Sequence, residues 1–431
     1  TKAQKAAYTA DATAVDIAVT PEEGGTTYYV WAKDRAGNVS TTGSTTIYKD
    51  TQGPRWVVES PQPLFWRNDE TYTVTSPKAV DYEPGLYHPP LVSGIAKILI
   101  DTVPITSADQ ATAREMTLST SGDLRGSIEV IPEKDGRIVY YMRAVDHAGN
   151  IGDSTSITLL VDRTAPTGTI KEGMNAWQSF LNAITFGLYY KDKTTFTIES
   201  ADPLPDGVAE NSGVLKMQYY IRDFTGAGTG VNETPDEFLE ASKDWVWQDY
   251  GALSSVELTI EPNVKRVVYA KITDIAGNVT YVSSQGMIFD STKPTVGTAE
   301  GVTVDPLWVN AAHTGTVTVT AAQIEDVLSN NVESGVAHAY LMKNNTGTAA
   351  DDIAYELTKS GTNYTANVPQ PAVTTQYFLR AVDHAGNWND ADKSLPVAVQ
   401  IDKTAPAYAN AKQNTEDWAA SKTLSATVTD S

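Results

Sequence analysis

Carboxylates are the residues whose number and placement in this chain could do chemistry. Of 431 residues, 53 are Asp or Glu against 32 Lys or Arg, a net charge of −21. Dense oxygen donors suit a hard divalent cation, and calcium takes six to eight carboxylate and carbonyl oxygens. The candidate set is Asp162, Asp202, Asp206, Glu210, Asp274 and Asn278. If these residues sit on the loops at one end of a β-sandwich, a cation bound there would neutralise crowded charge where one domain joins the next. The plainer alternative is that each Asp caps its own turn.

Other chemistries find less support. The chain has no cysteine, which excludes disulfides, thiolate catalysis and zinc–cysteine sites. Its five histidines, His88, His147, His313, His338 and His384, include no pair at the spacing of a metal-binding helix. No strand–helix nucleophile elbow, phosphate loop or dinucleotide glycine motif occurs. No catalytic residue or organic cofactor is therefore expected. The acidic balance argues against nucleic-acid binding, which needs a basic stripe. No apolar run approaches the ~18 residues that mark a membrane-spanning helix. One aromatic cluster, Trp245, Trp247 and Tyr250, has the composition of a sugar- or protein-binding platform. The same residues could instead cover the edge of a sheet.

The elements that must position these groups are repeated. An Asp-x-Ala-Gly-Asn motif occurs at 34–38, 146–150, 274–278 and 383–387, at intervals of 112, 128 and 109 residues. A second motif, beginning with Asp and ending with Pro, follows each copy at 50–54, 162–166, 290–294 and 402–406. Such a period is too long for a solenoid unit and fits one small domain per repeat. Before each first motif, apolar residues alternate: Tyr28, Val30 and Ala32; Tyr140, Met142 and Ala144; Val268, Ala270 and Ile272; Tyr377, Leu379 and Ala381. Period two with one apolar face predicts a half-buried strand. Gly supplies the positive φ of the following turn, and a further short strand completes a hairpin. The Pro of the second motif biases its neighbour to an extended conformation, which makes a short, fairly stiff joint. Each domain opens near a Trp (Trp66, Trp177, Trp308 or Trp418), read as core or edge packing, and the whole repeats reach a Ser-Gly-Val or Ser-Gly-Ile step at 93–95, 212–214 and 334–336. Residues 235–243 carry a mild helical signal and are read as part of a loop insertion.

About seven short strands per ~110 residues predict an all-β chain of tandem immunoglobulin-like β-sandwich domains forming an extended rod. The expected divisions are 1–50, the C-terminal part of one domain; whole domains at 51–162, 163–290 (with the insertion) and 291–402; and the N-terminal strands of a further domain at 403–431. The parent protein is expected to continue at both ends.

The order of a Trp-containing opening strand, Ser-Gly-Val, an aromatic strand into Asp-x-Ala-Gly-Asn, and Asp-x-Thr-x-Pro resembles the bacterial immunoglobulin-like repeats of large Gram-positive (Firmicutes) cell-surface proteins. Residues 180–190 (FLNAITFGLYY) and 268–282 (VYAKITDIAGNVTYV) carry the resemblance furthest. It implies an extracellular, non-catalytic protein, secreted or at a bacterial cell surface, serving as a stalk or spacer that presents a distal module. The 51–162 repeat departs from the pattern in its long, Pro-rich loop at 85–90. An adhesin binding a host glycan or protein through the loops at 81–91 and 226–250 is the alternative, and an accessory region of a secreted carbohydrate-active enzyme is a third. A Lys–Asn or Lys–Asp crosslink, as in Gram-positive surface domains, would draw on Lys97, Lys216 or Lys271. With strands of about nine residues, each domain would span about 30–40 Å.

Overall fold

The computed structural model describes residues 16–430 apart from 61, 82–91, 121–123, 173–174, 178–182, 192, 225–229, 252–255, 259–262, 311–315, 330–331, 414–417 and 419–420. Glu83, His88, His313 and most of the 81–91 loop lie outside the described residues, as does the start of the 226–250 insertion. Nearly every element is a strand, as the period-two patterns require. Packing separates two compact units: residues 1–167 with 201–215 and 272–280, and residues 168–200 with 216–271 and 281–431.

Within the first unit, one path of seven hydrogen-bonded strands runs Trp66–Arg67, Thr155–Val161, Gly136–Asp146, Ile95–Asp101, Arg114–Leu118, Gly126–Val130 and Tyr72–Thr75. The Arg114–Leu118 strand pairs with Ile95–Asp101 through Arg114 to Met116 and with Gly126–Val130 through Thr117 and Leu118. The path so folds into two layers around one core. Tyr140, Met142 and Ala144 point into that core with Tyr72, Val74, Ile98, Ile100 and Met116. The alternation seen in the sequence is the alternation of buried and outward side chains. An eight-stranded path in the second unit repeats the plan from Val302–Asp305 to Leu395–Ile401, closed by Trp308–Val309 pairing parallel to Gln400 and Ile401. Its core holds Tyr377, Leu379 and Ala381 against Val317, Val319, Leu341 and Val368. The 163–290 repeat forms a four-stranded and a seven-stranded sheet, with Phe196, Ile198, Val268, Ala270 and Phe289 buried. The chain is an all-β protein of tandem immunoglobulin-like β-sandwiches. Among the described residues no helix is long and apolar enough to cross a membrane.

Two local expectations change. Residues Pro235–Ser242 form an α-helix rather than loop. Thr234 and Glu237 close a capping box, Pro235 occupies the first turn, and Phe238 anchors the apolar side. The opening tryptophans are also not equivalent. Trp66 and Trp308 sit on short strands parallel to the last strand of their sandwich, and Trp308 is 59% exposed. Trp177 instead pairs with Ile170 in a hairpin, and the parallel position in that repeat belongs to Phe186 and residues 188–190. Trp418 is fully exposed. Trp66, Trp177 and Trp308 thus lie on strands at the edges of their sheets, within the core-or-edge packing expected of them.

The segment after Asp50 runs backbone against backbone with residues 151–153. A Cβ on buried Gly152 would lie 2.0 Å from the Pro54 carbonyl oxygen. Gly152→Ala is therefore expected to destabilise its sandwich by about 1–3 kcal/mol through overpacking, measured by chemical denaturation. An unchanged midpoint would mean that the strand shifts freely.

Candidate functional site

The site is built from the recurring motifs, and it occurs three times among the described residues. Its floor is the Asp-x-Ala-Gly-Asn turn. In each copy the Asn backbone N–H donates to one oxygen of the Asp carboxylate at 2.8 Å, and the Asn side-chain amide donates to the other at 2.7–2.9 Å. The Gly before Asn has φ between 87° and 98°, which an L side chain rarely adopts. This much forms locally, since it is present at the exposed turn of Asp34 and Asn38 as well.

The joint Asp then enters. Asn150, Asn278 and Asn387 donate their side-chain N–H to the backbone carbonyls of Asp50, Asp162 and Asp290 at 3.0, 2.9 and 2.8 Å. Each joint carboxylate accepts from the N–H two residues on and from the backbone N–H of Ser93, Ser212 or Ser334 at 2.7–2.8 Å. The next residue, Gly94, Gly213 or Gly335, donates its N–H to a third carboxylate, Asp81, Asp202 or Asp326, at 2.5–2.6 Å. Ser-Gly-Val and Asp-x-Ala-Gly-Asn thus hold the same joint. From the preceding repeat, Glu23, Asp135 and Asn263 accept backbone N–H bonds from Thr51, Arg163 and Ser291. Each of these joints is hydrogen-bonded from both sides.

Three carboxylates meet at each of these three joints. Asp50, Asp81 and Asp146 bring one oxygen each within 4.8 Å of the others, as do Asp162, Asp202 and Asp274, and Asp290, Asp326 and Asp383. Two ionised groups at that separation repel by about 3–4 kcal/mol at an effective dielectric near 20. Asp274, Asp290 and Asp162 are essentially buried. Burial, with the neighbouring Asp290 and Asp383, pushes the Asp326 carboxyl up to about 6. Burial also raises Asp202 and Asp81, each with two neighbouring carboxylates adding to the effect. A comparison of two identical turns isolates the cause. Hydrogen bonds from Asn38 hold exposed Asp34 below the usual carboxylate range, whereas burial, with Asp290 nearby, raises Asp383 despite the same bonds from Asn387. One oxygen of Asp202 is buried with no hydrogen-bond partner.

Of the six residues expected to gather, Asp162, Asp202 and Asp274 do so. Asn278 turns its amide nitrogen toward Asp162, Thr164 and Asp274, while its carbonyl oxygen accepts from Asn68 at 3.0 Å. It acts as a strut. Glu210 lies outside the triad and pairs with Arg137 at 2.9 Å, and Asp206 is exposed and not in the triad. The triads of Asp50 and Asp290 were not singled out from sequence, although the repeat spacing carried the signal that would have found them.

The aromatic candidates are placed differently from one another. Tyr250 is 4% exposed, and its hydroxyl accepts from the Ile198 backbone N–H at 3.1 Å. Trp245 stacks on Tyr220 at 4.3 Å between ring centroids and meets Phe238 edge-on at 5.5 Å. Trp247 lies 5.8 Å from Tyr281. Both tryptophans are half-buried over the outer face of the sheet. Among the crosslink candidates, Lys216 pairs with Asp249 and Lys271 lies over the Tyr281 ring.

No family model matches the sequence, and no curated protein matches it. Solved structures do. A tetra-tandem repeat from the extending region of a large adhesion protein is 17% identical, covering 89% of this chain and 82% of that one, with a TM-score of 0.28. A 1.5-MDa bacterial ice-binding adhesin is 13% identical over 78% of this chain and 91% of that one, at 0.27. An ectodomain fragment of ICAM-5 is 8% identical over 82% and 78%, at 0.28. The fold assignment rests on the strand order and the cores described above, not on these likenesses.

Proposed function

We propose that this chain is part of a non-catalytic, extracellular stalk of a bacterial surface protein, with calcium held at its joints. The observation that carries the reading is the threefold recurrence of one joint: a linker gripped by both flanking repeats, with three converging carboxylates beside it. A stalk needs length without new chemistry and joints that hold their angle. Asp162, Asp202 and Asp274, and their counterparts in the other two triads, would supply carboxylate oxygens to the ion. The free, buried oxygen of Asp202 is the atom in that set most in need of a partner. Bound calcium would replace mutual repulsion with shared attraction. The half-buried tryptophans of the insertion are occupied in packing, which weighs against their being a glycan platform.

Titration calorimetry of the chelator-treated chain tests the metal part. About three equivalents of calcium should bind, and Asp202→Asn should remove one. No heat and no uptake by native mass spectrometry would discard calcium. Small-angle scattering tests the stalk separately: a maximum dimension near that of a sphere of equal mass would overturn it.

A further inference from the structure

In the strand Val264–Asp274 both faces are shut. Val268 and Ala270 point into the sandwich core, yet the outward-facing Val267 and Tyr269 are equally inaccessible, all four at 0% exposure. In the corresponding strand Gly136–Asp146 the outward Val139, Tyr141 and Arg143 are only half-buried. The difference is the insertion together with the repeat that follows. Phe238 of the helix lies 5.2 Å from the Tyr269 ring, and Trp245 lies 5.0 Å from it. The same apolar cluster includes Ile288 and Val332, the latter 1% exposed. Val332 does not belong to this sandwich. It sits on the next repeat, between Thr316–Ala321 and Val336–Met342, where paired backbone bonds join it to Ser329.

A charge and one further contact link the same pair of repeats. Lys265, 6% exposed, is on the outward face of that strand, and the negative charge of Glu333, beside Val332, acts on it. His384, in the Asp-x-Ala-Gly-Asn turn of the later repeat, stacks on Tyr189 at 5.1 Å. All of these residues lie in the second compact unit.

We infer that the insertion of the 163–290 repeat, with the outer face of its sheet, is a docking surface for Val332 and its neighbour Glu333 of the next repeat, and that it braces the two repeats into one rigid body. The apolar seam closes a surface that a lone sandwich would leave to solvent, and an apolar contact of this kind needs no cation. This assigns a use to the aromatic insertion that differs from ligand binding. It stands independently of the calcium reading.

Because the chain lacks cysteine, spin labels can be placed at will. Asp244→Cys with Ser360→Cys reports across the two repeats, and Ser360→Cys with Asp392→Cys reports within the later one. Electron–electron double resonance in chelator is expected to give distance distributions of similar width for both pairs. Val332→Asp combined with His384→Ala should broaden the first pair at least twofold and leave the second unchanged. If the second pair also broadens, Val332→Ala with His384→Ala replaces it, and a selective broadening of the first pair is again expected. A broad first distribution in the unaltered chain, or a narrow one that survives the variants with the second pair intact, overturns the brace. Calcium binding could fail in calorimetry and leave this result untouched.

Discussion

Saturating calcium is expected to raise the thermal midpoint of this chain, and acidity is expected to act in opposite directions with and without it. A ligand that binds only the folded state at 100 times its dissociation constant contributes about 2.7 kcal/mol per site. For a sandwich of ~110 residues that is a shift on the order of 10 °C or more. The pH dependence follows from the carboxylates. Asp326 has a folded value of about 6, above the ~3.9 of an unfolded Asp. The fold therefore holds that proton more tightly than the unfolded chain does. The stabilisation is present at low pH and is lost as pH rises through about 6. Asp81, Asp202 and Asp383 are raised as well and act with the same sign. In chelator, the transition of the 291–402 repeat should have a higher midpoint at pH 5 than at pH 7.5. In calcium the order should reverse, because protons and metal compete for the same oxygens. Asp326→Asn should remove most of the difference in chelator. A chelated midpoint that falls on acidification would show that the surrounding N–H groups already satisfy the triads, and the metal reading would lose its physical basis.

The second large effect concerns the Asn of the turn. Asn387→Ala removes the donors to the backbone carbonyl of Asp290 and to the carboxylate of Asp383, which is 2% exposed. Losing a hydrogen bond to a charged group costs about 1.5–3 kcal/mol, and a stranded buried acceptor costs about 1–3 more. A loss of about 3 kcal/mol in the 291–402 repeat is expected by denaturant titration. The same change at Asn38, whose bonds within the turn are exposed, should cost under about 1 kcal/mol. Equal losses at both positions would mean that Asn serves the turn alone and that the joint does not depend on it.

The internal control in that prediction also marks where sequence reasoning reaches. The turn at residues 34–38 has its full set of local bonds without a joint Asp beside it among the described residues. Its geometry is set by residues four apart, by a glycine that tolerates positive φ, and by an Asp and an Asn that bond across it. Local rules of that range are written in the sequence. So are the alternating strands, because a period of two states which side chains face inward whatever the partner strand is. The repeated spacing of both motifs likewise makes the tandem sandwich legible in the sequence. The helix Pro235–Ser242 leaves only a mild signal in the sequence, because eight residues inside a β-rich repeat form too short a pattern to outweigh their surroundings.

Convergence was not legible. Asp290, Asp326 and Asp383 are separated by up to 93 residues, and nothing in their local patterns says which oxygens end within 4.8 Å of one another. Sequence placed Glu210 and Asp206 with Asp202 because they share a loop, and the fold sends Glu210 to Arg137 instead. Burial was undetermined for the same reason. Tyr269 and Val267 read as the outward face of a strand, and they are outward from their own sandwich, yet a helix from one loop and Val332 from the next repeat cover them. Sequence by itself determined which backbone conformations recur and which face of each strand is apolar, since these depend on neighbours along the chain. Tertiary structure alone decided which charges crowd and which surfaces close, since electrostatic repulsion and burial depend on distances through space that no spacing along the chain encodes.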